Sequence, residues 1–298
     1  MKENIFIKDI MTVIKAFIQR NPVLAYFILT VAISWGGVLL VIGGPSGILG
    51  IKEQFETLLP IVILVLLAGP SVAGVLLTGL VDGRAGLNKF RLRLFRWRVG
   101  ARWYAVALLT TPLLMMAIYL ALSHLSLEFL PGIFTADDKV SHLLMGLATG
   151  LMAGIFEELG WTGFAIPRLR QRYSVLTTGL IVGFLWAIWH ILPALWLGFA
   201  SGTINGTLSL ISYLLDPFLF LVAFRMLMVW VYDRTGSLLV GMLMHVSLTG
   251  SARIFAPLGI VGVPLLIFDI TWAAVMWAVV AVVALVNRGK DSNKLRNE

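Results

Sequence analysis

An all-α polytopic membrane protein, with about eight transmembrane helices and both termini cytoplasmic, is the fold class this sequence predicts, and three observations predict it. Of the 298 residues, 59% are hydrophobic and 13% charged, where a soluble domain carries about 25% charged residues. Mean hydropathy is +0.94, and the apolar residues recur in blocks that reach the roughly 20 residues needed to cross a hydrocarbon core as a helix. Basic residues gather on alternate connections, as the positive-inside rule requires.

The elements follow in order. Over residues 1–22, Phe6, Ile10, Val13, Ile14, Phe17 and Ile18 fall at helical spacing opposite Lys8, Lys15 and Gln19, which predicts an amphipathic helix lying on the headgroups. Eight spans are placed at 23–43, 58–81, 103–123, 141–166, 174–197, 208–232, 236–257 and 263–286, together a membrane domain over 23–286. Phe90 to Val99, where apolar residues largely alternate with arginines, suits a segment that dips one side into the interface. Residues 287–298 form a basic cytoplasmic tail.

The charges support this layout independently of hydropathy. Lys2, Lys8, Lys15 and Arg20 precede the first span, and Arg84, Lys89, Arg91, Arg93, Arg96, Arg98 and Arg102 surround the second connection. Arg168, Arg170 and Arg172 mark the fourth, Arg234 the sixth, and Arg288, Lys290, Lys294 and Arg296 the tail. Lys52, Lys139 and Arg253 fall on the other side, and Arg225 lies inside a span. The net charge of +8 is therefore read as anchoring to the lipid bilayer, not as a nucleic-acid surface. Zero cysteines exclude a disulfide framework, a thiol nucleophile and any thiolate zinc site.

An ionisable residue at the centre of a span costs at least ~2.5 kcal/mol and asks for a partner or a function. Those within or bordering spans are Glu157, Glu158, His190, Asp216, Arg225, His245, Asp269 and Arg253. Asp216, Asp269 and Arg253 lie towards the outer surface and are expected to pair structurally. Counting 1.5 Å per residue puts Glu157, Glu158 and His245 ~13 Å from their cytoplasmic ends, Arg225 at ~12 Å and His190 deeper, at ~24 Å. Two carboxylates and two histidines from three helices suit general acid–base work on a water, or a divalent metal such as zinc held by Glu157, His190 and His245. A satisfied hydrogen-bond cluster is the alternative that the residues alone leave open. Glu157, His190 and His245 are expected to converge on one polar cavity open to the cytoplasmic side.

The run Glu157-Glu158-Leu159-Gly160-Trp161-Thr162-Gly163-Phe164-Ala165-Ile166-Pro167-Arg168-Leu169 resembles the first motif of the CPBP intramembrane proteases, which unite type II CAAX prenyl endopeptidases with bacteriocin-processing and immunity proteins. Trp186, four residues before His190, resembles the second motif, and His245 with Thr249 the third. The protease-like core would lie at about 141–257. The resemblance implies an intramembrane endopeptidase, acting on membrane-associated proteins or peptides from a multi-pass position in a cell membrane, in all expectation a bacterial plasma membrane. Glu157 would be the principal base, activating a water with His190, while His245, helped by Thr249, would stabilise the oxyanion or hold a metal. Glu158 would belong with these four to the catalytic set, with Trp186, Arg225 and Thr162 in support.

Two positions depart from the family pattern. Thr162 stands where an arginine is usual, four residues after Glu158 and on the same helix face, and Thr249 replaces an asparagine, offering one hydroxyl in place of an amide. The missing arginine keeps open a catalytically impaired immunity or scaffold protein, and intramembrane carboxylates keep open, more distantly, a proton-coupled transporter. Arg225, at nearly the depth of the glutamates, is expected to take over the charge-balancing role towards Glu158, unless it snorkels to the headgroups.

Overall fold

The computed structural model describes residues 12–49 and 52–295, and among these there are helices and no strands. Eight helices are long and apolar enough to cross a membrane: α1 Pro22–Val41, α2 Phe55–Leu94, α3 Ala101–Ser123, α4 Lys139–Leu169, α5 Val175–Ala200, α6 Thr207–Thr235, α7 Leu238–Phe255 and α8 Gly262–Asn287. The chain is a multi-pass membrane protein. Residues 12–20 are helical, with Val13, Ile14 and Phe17 exposed and Ile18 packed on the core. Phe6, Ile10 and the end of the basic tail lie outside the described residues.

Helix ends follow ordinary capping chemistry. Pro22 opens α1, where a missing N–H costs nothing. Asp138, Ser174 and Ser237 cap α4, α5 and α7 by accepting the backbone N–H three residues on. Hydrogen bonds from Ser141 hold the Asp138 carboxyl below its usual range. Gly236, at φ 59°, supplies the left-handed turn that folds α6 back onto α7 and brings Arg225 and His245 into one helical hairpin.

The second helix differs from the sequence reading. The second span continues past 81, through a break at Gly83 (φ 60°, ψ −153°), to Leu94, a backbone conformation open essentially to glycine alone. Phe90 is buried against Leu238 and Met242, and Arg93 donates to the Tyr232 hydroxyl and the Gly163 carbonyl. The opposite side exposes Leu92, Phe95 and Trp97. The basic segment is thus packed under the site-bearing helices while it exposes apolar side chains elsewhere.

α4 and α7 form the most extensively packed helix pair. Gly146, Gly150 and Gly154 repeat every four residues on α4, and a Cβ at Gly150 would stand 2.6 Å from the Val246 carbonyl oxygen. This small-residue stripe lets the two backbones approach closely. Gly150→Ala is expected to cost ~1–3 kcal/mol by forcing the helices apart. Gly36→Ala, with no neighbour within 4 Å, is the matched control, and thermal melting of the two purified variants checks the difference.

Candidate active site

Glu157 and Glu158 close the regular part of α4, and the helix then widens into a π turn over Trp161–Ala165. Such turns re-aim side chains within a helix. Here the turn carries Thr162 back to Glu158, to which its hydroxyl donates. Trp161, Thr162, Phe164 and Ile166 are 0–1% exposed, so the turn fills the space between the carboxylates and the basic end of the bundle.

Adjacent residues on a helix diverge by ~100°, and the two glutamates diverge in surroundings as well. Glu158 is fully buried and accepts from three directions: from Arg225 Nη1 at 2.9 Å (Oε1) and 2.8 Å (Oε2), from His245 Nδ1 at 2.8 Å, and from Thr162. Arg225 is itself 0% exposed, and its guanidinium carbon lies 3.9 Å from the centroid of the Trp186 ring. The snorkelling alternative fails. The guanidinium that meets Glu158 thus comes from α6 and not from position 162 on α4.

Glu157 faces the other way. It lines a cavity of about 520 Å³ together with Trp186, His190, His245 and Thr249. Its Oε2 accepts from Trp186 Nε1 at 2.7 Å, and its Oε1 lies 4.0 Å from His245 Nε2. His190 Nδ1 is 2.8 Å from the Trp186 carbonyl oxygen. A carbonyl only accepts, so Nδ1 carries the proton and Nε2 is left with a lone pair. At His245 it is Nδ1 that donates, to the Glu158 carboxylate, while Nε2 faces Glu157. The Thr249 hydroxyl makes no hydrogen bond among the described residues and sits on the cavity wall one turn beyond His245.

Trp186 is the hub of this arrangement. Its indole N–H fixes Glu157, its carbonyl fixes His190, its ring stands edge-on to both imidazoles at centroid distances of 5.3 and 5.1 Å, and one face meets Arg225. In the sequence it is visible only through the family motif; no spacing rule identifies an indole as a carboxylate donor.

The cavity runs in the direction opposite to the one expected. Its lining continues from His190 to Leu197 near the end of α5, Ser212 near the start of α6, Ala252 near the end of α7 and Leu265 near the start of α8. These ends lie away from the basic connections, whereas the basic side is plugged by the π-turn residues and Arg225. The pairing expected for Asp216, Asp269 and Arg253 is also absent, since none of them makes an ion pair among the described residues. Asp216 and Asp269 line the cavity instead.

No group of three His, Asp or Glu side chains among the described residues is arranged to hold a metal ion. Glu157 and His245 face each other, but with His190 they do not close a ligand set, so the donors in this arrangement do not fit a catalytic zinc.

Residues 139–250 match a family model described as Type II CAAX prenyl endopeptidase Rce1-like. A 40-residue stretch is 45% identical to the CAAX prenyl protease 2 of Methanococcus maripaludis, covering 13% of this chain and 15% of that protein. The cluster built by α4, α5, α6 and α7 thus falls within the matched region, and over residues 139–250 the chain is similar to the Rce1-like type II CAAX prenyl endopeptidases.

Proposed function

We propose that this protein is an intramembrane endopeptidase in which Glu157 is the general base and His245 the oxyanion donor. The observation that carries the reading is the division of labour between adjacent glutamates. Glu158 is saturated by Arg225, His245 and Thr162, while Glu157 keeps Oε1 free towards the cavity, 4.0 Å from His245 Nε2. An oxygen ~2.8 Å from each would bridge that gap.

In this route Glu157 Oε1 takes a proton from a water that His190 Nε2 orients, and the water oxygen attacks the carbonyl carbon of the scissile peptide bond. His245, in this route the imidazolium with its Nδ1–H held by Glu158, donates from Nε2–H to the developing oxyanion. Thr249 adds a hydroxyl on the same wall. Collapse breaks the C–N bond as Glu157 returns its proton to the leaving nitrogen, so the base ends the cycle ionised. Substrates are membrane-associated proteins or peptides whose extended segment enters the cavity. That Arg225 brings a guanidinium to Glu158 although Thr162 stands at the motif's arginine position supports the catalytic reading over an impaired scaffold.

Incubation of the purified protein with a mixture of membrane-inserted peptides, followed by mass spectrometry of the products, tests this reading. New termini should appear with wild-type protein and be absent with Glu157→Gln. Trp186→Phe keeps an aromatic ring but removes the N–H on Glu157, and should lower kcat by ~10-fold or more, the worth of one hydrogen bond to a charged group. A divalent metal, expected from the sequence on Glu157, His190 and His245, is not used in this route. Activity should therefore survive chelation and not rise with added zinc; loss on chelation with recovery on zinc would show that the three residues regroup around a metal.

A further inference from the structure

The cavity that holds Glu157 carries two more carboxylates that the proposed chemistry does not use. Asp216 comes from α6, immediately before Pro217 and its π turn, and Asp269 from the second turn of α8. Neither accepts a hydrogen bond nor makes an ion pair among the described residues, although both lie well inside membrane-spanning helices. Asp269 is 7% exposed. It is thus nine-tenths buried, unpartnered and directed at the cavity. An uncompensated carboxylate in a bundle wall costs several kcal/mol. Two on one wall raise that cost further, and it is relieved either by a shared proton or by a cation that arrives to meet them.

The surroundings specify that cation. The wall near the pair is apolar apart from Ser212 and Tyr213, with Leu197, Phe220, Ala252 and Leu265 completing it. An inorganic divalent cation wants six or more oxygen ligands, and no third acidic or histidine side chain joins the two. A charged head on an aliphatic stem suits the site better, since the stem lies along apolar wall while the head reaches the carboxylates. We infer that Asp216 and Asp269 form a cation-recognition subsite for a lysine or arginine side chain of the substrate. Because the pair shares one cavity with Glu157 and His190, the basic residue is held close to the bond being cut, and the subsite acts as a specificity determinant. The identity of the ligand rests on the peptidase reading; the cation preference itself does not.

The experiment therefore has two arms, both on the full chain in lipid nanodiscs. In the first, calorimetric titration compares n-hexylguanidinium with n-hexanol, a neutral probe of similar length. Wild-type protein should bind the cation ~10-fold or more tightly than the alcohol, the scale on which a buried charge pair discriminates. Asp269→Asn, and separately Asp216→Asn, should abolish the preference while leaving alcohol binding unchanged and without lowering the melting temperature. Equal binding of the two probes by wild-type protein overturns the proposal, as does displacement of the guanidinium by Mg²⁺ at lower concentration than by lysine methyl ester. In the second arm, cleavage sites in a peptide mixture should be enriched in lysine or arginine for wild-type protein and not for Asp269→Asn. Cleavage without that enrichment refutes the subsite and leaves the peptidase reading intact, whereas cation-selective binding without cleavage refutes the peptidase reading and leaves the subsite.

Discussion

Replacing Glu157 by glutamine should lower peptide hydrolysis by at least ~10²-fold, the contribution typical of a general base, with no loss of folded protein. The amide oxygen of glutamine can still accept from Trp186 Nε1, as Glu157 Oε2 does at 2.7 Å, so shape and anchoring are kept. What changes is the group facing His245 across the 4.0 Å gap, where an NH₂ that cannot take a proton replaces a carboxylate oxygen. The outcome should appear in kcat, because substrate contacts along the cavity wall remain. Initial rates on one validated peptide, with thermal melting as a control for folding, decide it. A variant that cleaves at the wild-type rate would remove Glu157 from the chemistry.

The helices themselves were readable because lipid imposes a length and a composition that few other environments demand, and alternating arginines gave the spans a consistent direction. The depth of His190 was not readable. Counting from helix ends set it roughly 11 Å from the glutamates, yet it lines the same cavity as Glu157. The candidate spans α4, α5 and α7 are 31, 26 and 18 residues long, so their ends do not share a plane and residue counts from them have no common origin. Arg225 was readable because a buried guanidinium has few affordable partners, and Glu158 was the carboxylate nearest in depth. The partner of Glu157 was not, because an indole N–H advertises nothing in a sequence. Nor was the direction of the cavity, which depends on the π turn at Trp161–Ala165 packing the basic side shut. Asp216 and Asp269 were assigned to structural pairing on cost alone; the same cost, once Arg253 proves not to be their partner, argues for a ligand.

Arg225→Leu should destabilise the protein by ~3–5 kcal/mol, the penalty for removing one member of a buried charge pair. Glu158 would keep its contacts with His245 and Thr162 but lose both bonds from Nη1. No other arginine or lysine pairs with it among the described residues. Activity should fall with stability, because Glu158 steadies His245 and Arg225 packs on the face of Trp186, which in turn holds Glu157 and His190. Thr162→Arg added to Arg225→Leu would place a guanidinium four residues from Glu158 on the same helix, in space the substitution has opened. The double variant should recover part of both melting temperature and rate, whereas Thr162→Arg alone should be destabilising, since it sets a second cation into a fully packed site beside Arg225. That non-additivity separates charge compensation from a packing effect: Arg225→Met, close in length but uncharged, should be about as damaging as leucine. If methionine restores stability and arginine at 162 does not, the guanidinium serves the fold by its volume alone and the charge-balancing role is refuted.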